Sequence, residues 1–168
     1  MEIGKISKRV LDKFSVTRNL CGCTLELKGY KSLGDDSYKV SLYADSKKVV
    51  SVLSKKGKPM EYHYAPSSFS KEMFPKFCKE CDIDFMIDEM VSDMNDLSEL
   101  DKYIKHYQSR YFVLEMDGNI SLYEIFDGSN KIEYAIGIPQ GQILLRKIAN
   151  KLQKKGYKIL NYNTKDII

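Results

Sequence analysis

Four cysteines form the only grouping in the chain whose residue types and spacing match metal ligands: Cys21-x-Cys23 and Cys78-x-x-Cys81. Four thiolates can hold Zn²⁺ in a tetrahedral site, and Cys-x-x-Cys on a helix can supply two of them. However, 54 residues separate the two pairs, far more than in a compact zinc ribbon. Zinc is therefore the minor alternative, and we expect no metal and no cofactor.

The neighbours of the cysteines favour buried, inert thiols. On a strand, residues two apart share a face, so the first pair aligns with Leu25 and Leu27. On a helix, the second pair continues the apolar stripe of Phe74 and Phe77. A thiol in such a place behaves as a small apolar side chain. We expect no disulfide framework from four cysteines in a chain of 168 residues.

Charge is distributed unevenly along the chain. Residues 80–101 contain nine acidic residues and no basic residue, whereas residues 1–79 have a net charge of +8 and residues 102–168 one of +5. The acidic segment has the apolar spacing of a helix, and its candidate partner-binding residues are Asp84, Asp88, Glu89 and Asp93.

Three interpretations of this acidic segment are open. Charge runs are most often solvated helix faces. A surface of this kind can also attract a basic partner, or imitate nucleic acid, and accelerate association. A Ca²⁺ site is the weakest interpretation, because Asp82-x-Asp84 lacks the glycine and the final glutamate of an EF-hand loop. Under the partner-binding interpretation, neutralising the four candidates should abolish binding and leave thermal stability nearly unchanged.

A basic strip near the C-terminus supports a different class of partner. Its residues lie on and after the clearest helical pattern in the chain, and they are Arg146, Lys147, Lys151, Lys154, Lys155 and Lys158. Such a strip could contact phosphates. It lacks interleaved aromatic residues and any recognised nucleic-acid motif, so solvation of the helix is the simpler interpretation.

Catalytic signatures are weak. The two histidines, His63 and His106, belong to no HExxH motif, and no GxSxG motif is present. A helix, three strands, a helix and a strand over residues 96–162 follow the outline of a nuclease core, which needs an acid on one strand and an acid-x-Lys on the next to hold Mg²⁺. Glu115, Asp117 and Glu124 could supply carboxylates, but no lysine has that spacing. We predict no catalytic residue.

The elements that position these residues are predicted from periodicity and turn signals. We expect strands at 20–28, 38–43, 49–53 and 60–64 and a helix at 2–14. Residues 66–68 supply N-caps for a helix that reaches Cys81 and that either kinks at Pro75 or starts there. A helix follows from Ile83, and the capping box of Asp96 and Glu99 introduces a further one. A three-stranded meander follows at about 111–138, with Asp-Gly turns. A helix ending near Gly156 and a strand at 157–162 complete the chain.

Strands grouped apart from helices predict an α+β fold: a single domain over 1–168 with an antiparallel sheet packed by about four to five helices. The alternative is a division into 1–81 and 82–168. No apolar run is long enough to cross a bilayer, and we find no signal peptide, so we expect a cytoplasmic protein without a membrane partner.

The composition, rich in Tyr and Lys, is typical of an AT-rich genome, bacterial, phage or viral; a phage or viral protein would work in the host cytoplasm. We expect a small, non-enzymatic binding or inhibitor protein that acts on another protein, or on a protein–nucleic acid complex, through a charged surface. A nucleic-acid-associated protein using the basic strip, with or without structural zinc, is the alternative. A metal-dependent nuclease-like enzyme is the second alternative.

Overall fold

The computed structural model describes Ile3, residues 5–127 and residues 131–168. Its elements, in chain order, are α1 (Lys8–Lys13), β1 (Thr17–Leu20), β2 (Cys23–Gly34), β3 (Ser37–Ala44), β4 (Lys47–Ser54), β5 (Glu61–Tyr64), α2 (Ser68–Glu80), α3 (Ile83–Tyr107), β6 (Tyr111–Met116), β7 (Asn119–Glu124), α4 (Ile132–Ile136), α5 (Pro139–Lys154) and β8 (Lys158–Ile159). In this described part of the chain, five helices and antiparallel sheets of five and three strands confirm the predicted α+β class.

The described residues cluster into two compact units. Unit 1 contains residues 1–14 and 96–168, and unit 2 contains residues 15–95. Neither the single domain over 1–168 nor the division at 81/82 is tested by this clustering, and both stay predictions. No helix in the described part of the chain is long and apolar enough to cross a membrane.

Unit 2 is built on the five-stranded sheet, whose strands pair in chain order. Alternation places Leu25, Val40, Leu42 and Val52 on one face, where they are buried. The helix α2 and residues 83–95 of α3 cover this face with Phe74, Phe77, Ile83, Ile87 and Met90. The opposite side of the sheet, here called the open face, carries half-buried and exposed side chains, including Lys28, Lys39, Ser41, Tyr43, Ser51 and His63.

Two-residue turns with positive φ at both positions connect most of these strands. Cys21 and Gly22 have φ of 50° and 73°, and Asp35 and Asp36 have φ of 48° and 57°. This conformation matches the right-handed twist of hairpin strands. The predicted strand over 20–28 is therefore wrong in one respect: the chain reverses at Cys21, which lies in a turn and not on the face shared by Cys23 and Leu25.

Unit 1 has three layers because β6 is buried on both faces. Phe112 and Leu114 point to α4 and α5, where they pack with Leu145 and Ala149. Val113 points the other way, into a cluster formed by α1 and residues 96–107 of α3, with Val10, Leu11, Leu100 and Ile104. The sheet order is β7-β6-β8.

The N-terminal helix is shorter than predicted. The sequence predicts a helix over 2–14, but α1 begins at Lys8. Before it, buried Ile6 donates its backbone N–H to the carbonyl of Gly118 at 3.2 Å, so this part of the chain is held in an extended form beside the β6–β7 turn. Met1, Glu2 and Gly4 lie outside the described residues.

The helix α3 corrects a prediction of two helices. The Asp96 capping box predicts the start of a new helix, but Ile83–Tyr107 forms one helix of 25 residues. Asp82 caps its start, accepting from the Phe85 backbone N–H at 3.2 Å. Between Asp82 and Tyr107 the chain has neither glycine nor proline, and its apolar residues continue at spacings of three and four. The capping box at Asp96 did not start a new helix, because no glycine or proline before it ends the first one.

The third strand of the predicted meander is also wrong. The C-terminal three-stranded sheet exists, but residues 132–136 form α4, and the third strand is β8. The free edge of β6 is occupied by β8, with Leu114 opposite Ile159. Ile132 and Ala135 are both buried, and in a helix two residues at this spacing of three share one face. The Asp127-Gly128 turn lies partly outside the described residues.

A close backbone contact joins α4 to α5. Pro139 occupies the first turn of α5, where its fixed φ suits a helix start. Two residues on, Gly141 lies so near Ala135 that an added Cβ would be 2.2 Å from its carbonyl oxygen. Only glycine fits at this point.

We expect Gly141→Ala to lower the free energy of unfolding by about 2 kcal/mol or more, because the new methyl group overlaps backbone atoms that cannot rotate away. Urea titration monitored by circular dichroism measures this loss. Gly137→Ala is the matched control, since its Cβ would be 3.4 Å from the nearest atom and its φ is −74°. Equal stability of the two variants would contradict the contact.

Candidate functional site

The acidic candidates lie on the first half of α3 and contact the sheet of unit 2. Arg18 of β1 donates to Glu89 at 2.8 Å and to Asp93 at 2.7 Å. The Asp93 side chain is only 8% exposed, whereas that of Glu89 is 36% exposed. A carboxylate as buried as Asp93 depends on its cation, because removing it from water is unfavourable.

Tyrosine hydroxyl groups donate hydrogen bonds to the other two acidic candidates, Asp84 and Asp88. Tyr38 donates to Asp88 at 2.6 Å, and Tyr62 donates to Asp84 in a short hydrogen bond. Burial and the carboxylate raise the pKa of both tyrosines. All four candidates thus have partners inside unit 2. Their role toward an external partner stays a prediction, but the expectation that neutralising them leaves stability unchanged no longer holds.

The basic candidates fall into two groups. Arg146 donates its Nε to the Ile167 carbonyl at 2.7 Å, and Lys158 donates to the Leu11 carbonyl at 3.2 Å, so both have contacts within unit 1. Lys147, Lys151 and Lys154 lie at i, i+4 and i+7 on α5 and are exposed on one face. Lys155 follows the helix and is also exposed.

An exposed apolar patch adjoins these lysines, and sequence periodicity did not single it out. Its exposed side chains are Tyr134 (73%), Ile138 (41%), Ile143 (62%) and Leu144 (41%). Tyr134, Ile138 and Leu144 line a groove of about 300 Å³ between α4 and α5. Residues 134–165 contain no acidic residue. We call these four side chains, together with Lys147, Lys151 and Lys154, the α4–α5 face.

The missed signal is visible on the helical wheel of α5. Its buried residues, Leu145, Ala149 and Leu152, form one stripe. Ile143 lies on the side of the helix opposite that stripe, where periodicity alone predicts a polar residue, whereas Leu144 lies at the border of the stripe. A large apolar residue opposite the core stripe is therefore the sequence signal for this face, and Leu144, which periodicity predicts to be buried, is 41% exposed.

The prediction that both cysteine pairs are buried in the core is only partly confirmed. Cys23 is buried and Cys81 half-buried, but Cys21 and Cys78 are exposed, which corrects the prediction that both pairs face the core. Desolvation raises the pKa of Cys23 and Cys81, which favours the protonated thiol. Among the described residues, no group of three or more Cys, His, Asp or Glu could hold a metal ion.

Of the possible catalytic carboxylates, Glu124 lies far from Glu115 along the β6–β7 hairpin. Glu115 is buried and accepts the Gly118 backbone N–H at 2.9 Å within the β6–β7 hairpin. Glu124 lies opposite Tyr111, four residues along β6 from Glu115, which separates the two by about 13 Å along the strand. Asp117 lies in the turn between them. The two histidines are exposed, and His106 stacks edge-on against Tyr107.

We expect Arg18→Met to destabilise unit 2 by about 3 kcal/mol, because Asp93 would lose its cation while remaining buried. Chemical denaturation measures the loss. Glu89→Gln is the control and should change stability by less than about 1 kcal/mol, since that side chain is more exposed. The double variant Arg18→Met/Asp93→Asn should recover part of the loss; no recovery would contradict the role given to Asp93.

A second prediction concerns alkaline pH. Tyr162 of unit 1 donates to Asp101 at 2.9 Å, and burial followed by this hydrogen bond raises the pKa of Tyr162 from 10.0 to about 12. Because the folded state holds the proton more tightly than the unfolded state, this contribution is complete below pH 10 and is lost as the pH rises toward about 12.

The stability difference between wild type and Tyr162→Phe should therefore shrink between pH 8 and about pH 12 in urea titrations. Tyr134→Phe, at an exposed ring, is the control and should track the wild type throughout. A difference that stays constant with pH would show that the Tyr162 hydroxyl does not titrate in this way.

Comparison with known proteins supplies no further assignment: no family model matches the chain, and neither a curated protein nor a solved structure matches it.

Proposed function

We propose that the protein is a non-enzymatic binding protein that contacts a macromolecular partner through the α4–α5 face. The single observation that supports this most is the exposed patch of Tyr134, Ile138, Ile143 and Leu144. Contiguous exposed apolar side chains bordered by polar ones are typical of protein interaction sites. The proposal concerns the basic side of α5, and a partner-binding role for the acidic part of α3 stays a separate prediction.

The chemistry of the face defines the partner class. Lys147, Lys151 and Lys154 attract negative charge, and residues 134–165 include no acid to oppose them. The apolar groove needs a partner that inserts aliphatic or aromatic side chains. A protein segment with an apolar stripe and acidic neighbours, such as an acidic amphipathic helix, meets both requirements.

Nucleic acid is less well supported at this face. A phosphate backbone would satisfy the three lysines but would leave Ile143 and Leu144 without apolar contacts. Tyr134 is the single aromatic ring among the four apolar side chains, which gives little surface on which bases could stack. We therefore favour a protein partner, with nucleic acid as the outcome that would redirect the proposal.

The test uses a labelled synthetic helix of about 18 residues, with leucines at helical spacing and glutamates elsewhere, in fluorescence anisotropy titrations. We expect it to bind, and we expect the same peptide with lysines in place of glutamates not to bind. Ile143→Ser/Leu144→Ser and Lys147→Glu/Lys151→Glu/Lys154→Glu should each weaken binding about tenfold or more.

The matched control is Lys55→Glu/Lys56→Glu/Lys58→Glu, which makes the same charge change at exposed positions between β4 and β5. It should leave affinity within about twofold. Thermal unfolding of every variant checks the fold. Absence of peptide binding, an equal loss in the control, or preferential binding of a labelled oligonucleotide at this face would overturn the proposal.

A further inference from the structure

A second surface, on unit 2, has a chemistry that the α4–α5 face lacks. Strand register brings Lys28, Ser41, Ser51 and His63 into one row across β2, β3, β4 and β5, on the open face. With strands about 4.8 Å apart, this row is about 14 Å long. Each of the four side chains can donate a hydrogen bond, and none is acidic.

The row forms a groove because its middle residues are small. Ser41 and Ser51 lie on the two central strands, while the next row on one side has Lys39 opposite Leu53. The resulting depression has a volume of about 370 Å³, and Ser41, Ser51 and His63 line it together with Lys39 and Leu53. Large side chains at the two serine positions would have filled it.

Polar side chains at this groove have no partner within the described protein. Ser41, Ser51, His63 and Lys39 take part in none of the side-chain hydrogen bonds or ion pairs of the described residues. Unpartnered donors around a concave surface are available to a ligand that accepts hydrogen bonds.

A like-charge pair lies at one end of the groove. Lys31 and Lys39 are directly opposite each other on β2 and β3, and both are exposed. Like charges in this cross-strand arrangement are unfavourable unless an anion lies between them. Lys28 on the neighbouring row also contributes, although Glu26 lies 3.2 Å from its Nζ. Glu61 lies opposite Leu53 at the β5 end of the Lys31–Lys39 row, so the positive charge lies on the β2–β3 side of the open face.

An aromatic ring lies on the open face next to the groove, although it does not line it. Tyr43 is half-buried on the open face, opposite Glu26, and Lys28 lies over its ring at 4.7 Å. Because Lys28 covers this ring, its ammonium group is held beside the groove, where it can contact a phosphate. Antiparallel sheets with one uncovered face bind single strands in several module types.

We infer that the open face of unit 2 binds single-stranded nucleic acid, with the phosphate backbone along the Lys31, Lys39 and Lys28 side and hydrogen bonds from Ser41, Ser51 and His63. Lysines on two neighbouring rows, Lys28 on one and Lys31 with Lys39 on the other, favour a polyanion over a single phosphate group. The row of Ser41, Ser51 and His63 is only one residue wide on each strand, and a contact surface this narrow suits a single strand better than a duplex. This inference does not depend on the α4–α5 face.

Anisotropy titrations with a labelled single-stranded oligonucleotide of about 12 nucleotides test the inference at about 50 and about 200 mM salt. We expect binding that is at least about tenfold tighter than that of the same sequence as a duplex. Lys31→Gln/Lys39→Gln should weaken it about tenfold and reduce the slope of log K against log salt by about 1.4, which is about 0.7 for each phosphate that is no longer neutralised.

Ser51→Leu should also weaken binding about tenfold by filling the groove, and it should keep the fold because leucine is tolerated on a half-exposed strand position. Lys55→Gln/Lys56→Gln is the charge-matched control in the same unit, and Lys147→Gln/Lys151→Gln/Lys154→Gln is the control for α5. Both should retain the affinity of the wild type.

Four results would overturn the inference. They are no binding at about 50 mM salt, an equal loss in the charge-matched control, loss confined to the α5 variant, and equally tight binding of polyglutamate, which would indicate attraction to any polyanion. Unchanged binding by Ser51→Leu would contradict the role given to the groove, because the lysines alone would then explain the affinity.

Discussion

Burial of β6 on both of its faces is the constraint on which the architecture of unit 1 depends. Phe112 and Leu114 require one apolar layer and Val113 requires another, so helices must cover both sides of a sheet only three strands wide. α5 meets this demand with Leu145, Ala149 and Leu152. Once that stripe is fixed against β6, the remaining faces of α5 are outside the core. Ile143 and the lysines are exposed for this reason, whereas Leu144 lies at the border of the stripe.

Unit 2 is subject to a different constraint, because several carboxylates of α3 lie against its sheet. The core face of the sheet carries Arg18, Tyr38 and Tyr62 near the edge of the apolar cluster, and these three side chains meet the acids of α3. The negative segment is thus partly an internal feature of the fold. What distinguishes it from a solvated helix face is that its partners come from three different strands, β1, β3 and β5.

The sequence predicted the elements where one local signal was sufficient. Alternation predicted β3, a short β-branched run predicted β4, and the Asp117-Gly118 turn predicted the β6–β7 hairpin. Gly156, with a positive φ, follows α5 as expected. Predictions failed where contacts with another part of the chain determined the secondary structure. Residues 132–138 have the alternation of a strand, but Ile132 and Ala135 pack as a helix in the cluster of Leu145 and Ala149, and β8 supplies the third strand beside β6. The Asp96 capping box lies within a helix whose apolar spacing never breaks.

The candidate sites show the same limit more strongly. Charge runs are visible in a sequence, but the partner of Asp93 is 75 residues away, and no local pattern identifies Arg18 as that partner. The open-face groove is likewise a property of register, since Ser41 and Ser51 become neighbours only when β3 and β4 pair. The exposed apolar side chain of Ile143 could have been found by comparing two sides of one helix.

The contact between Gly141 and Ala135 has a consequence for recognition at the α4–α5 face. It fixes how near the two helices approach, and with it the width of the groove that Tyr134, Ile138 and Leu144 line. A ligand therefore meets a surface that is already shaped before the encounter. Most of the entropy lost on association would then be the ligand's own, and affinity would respond chiefly to how ordered that ligand is when free.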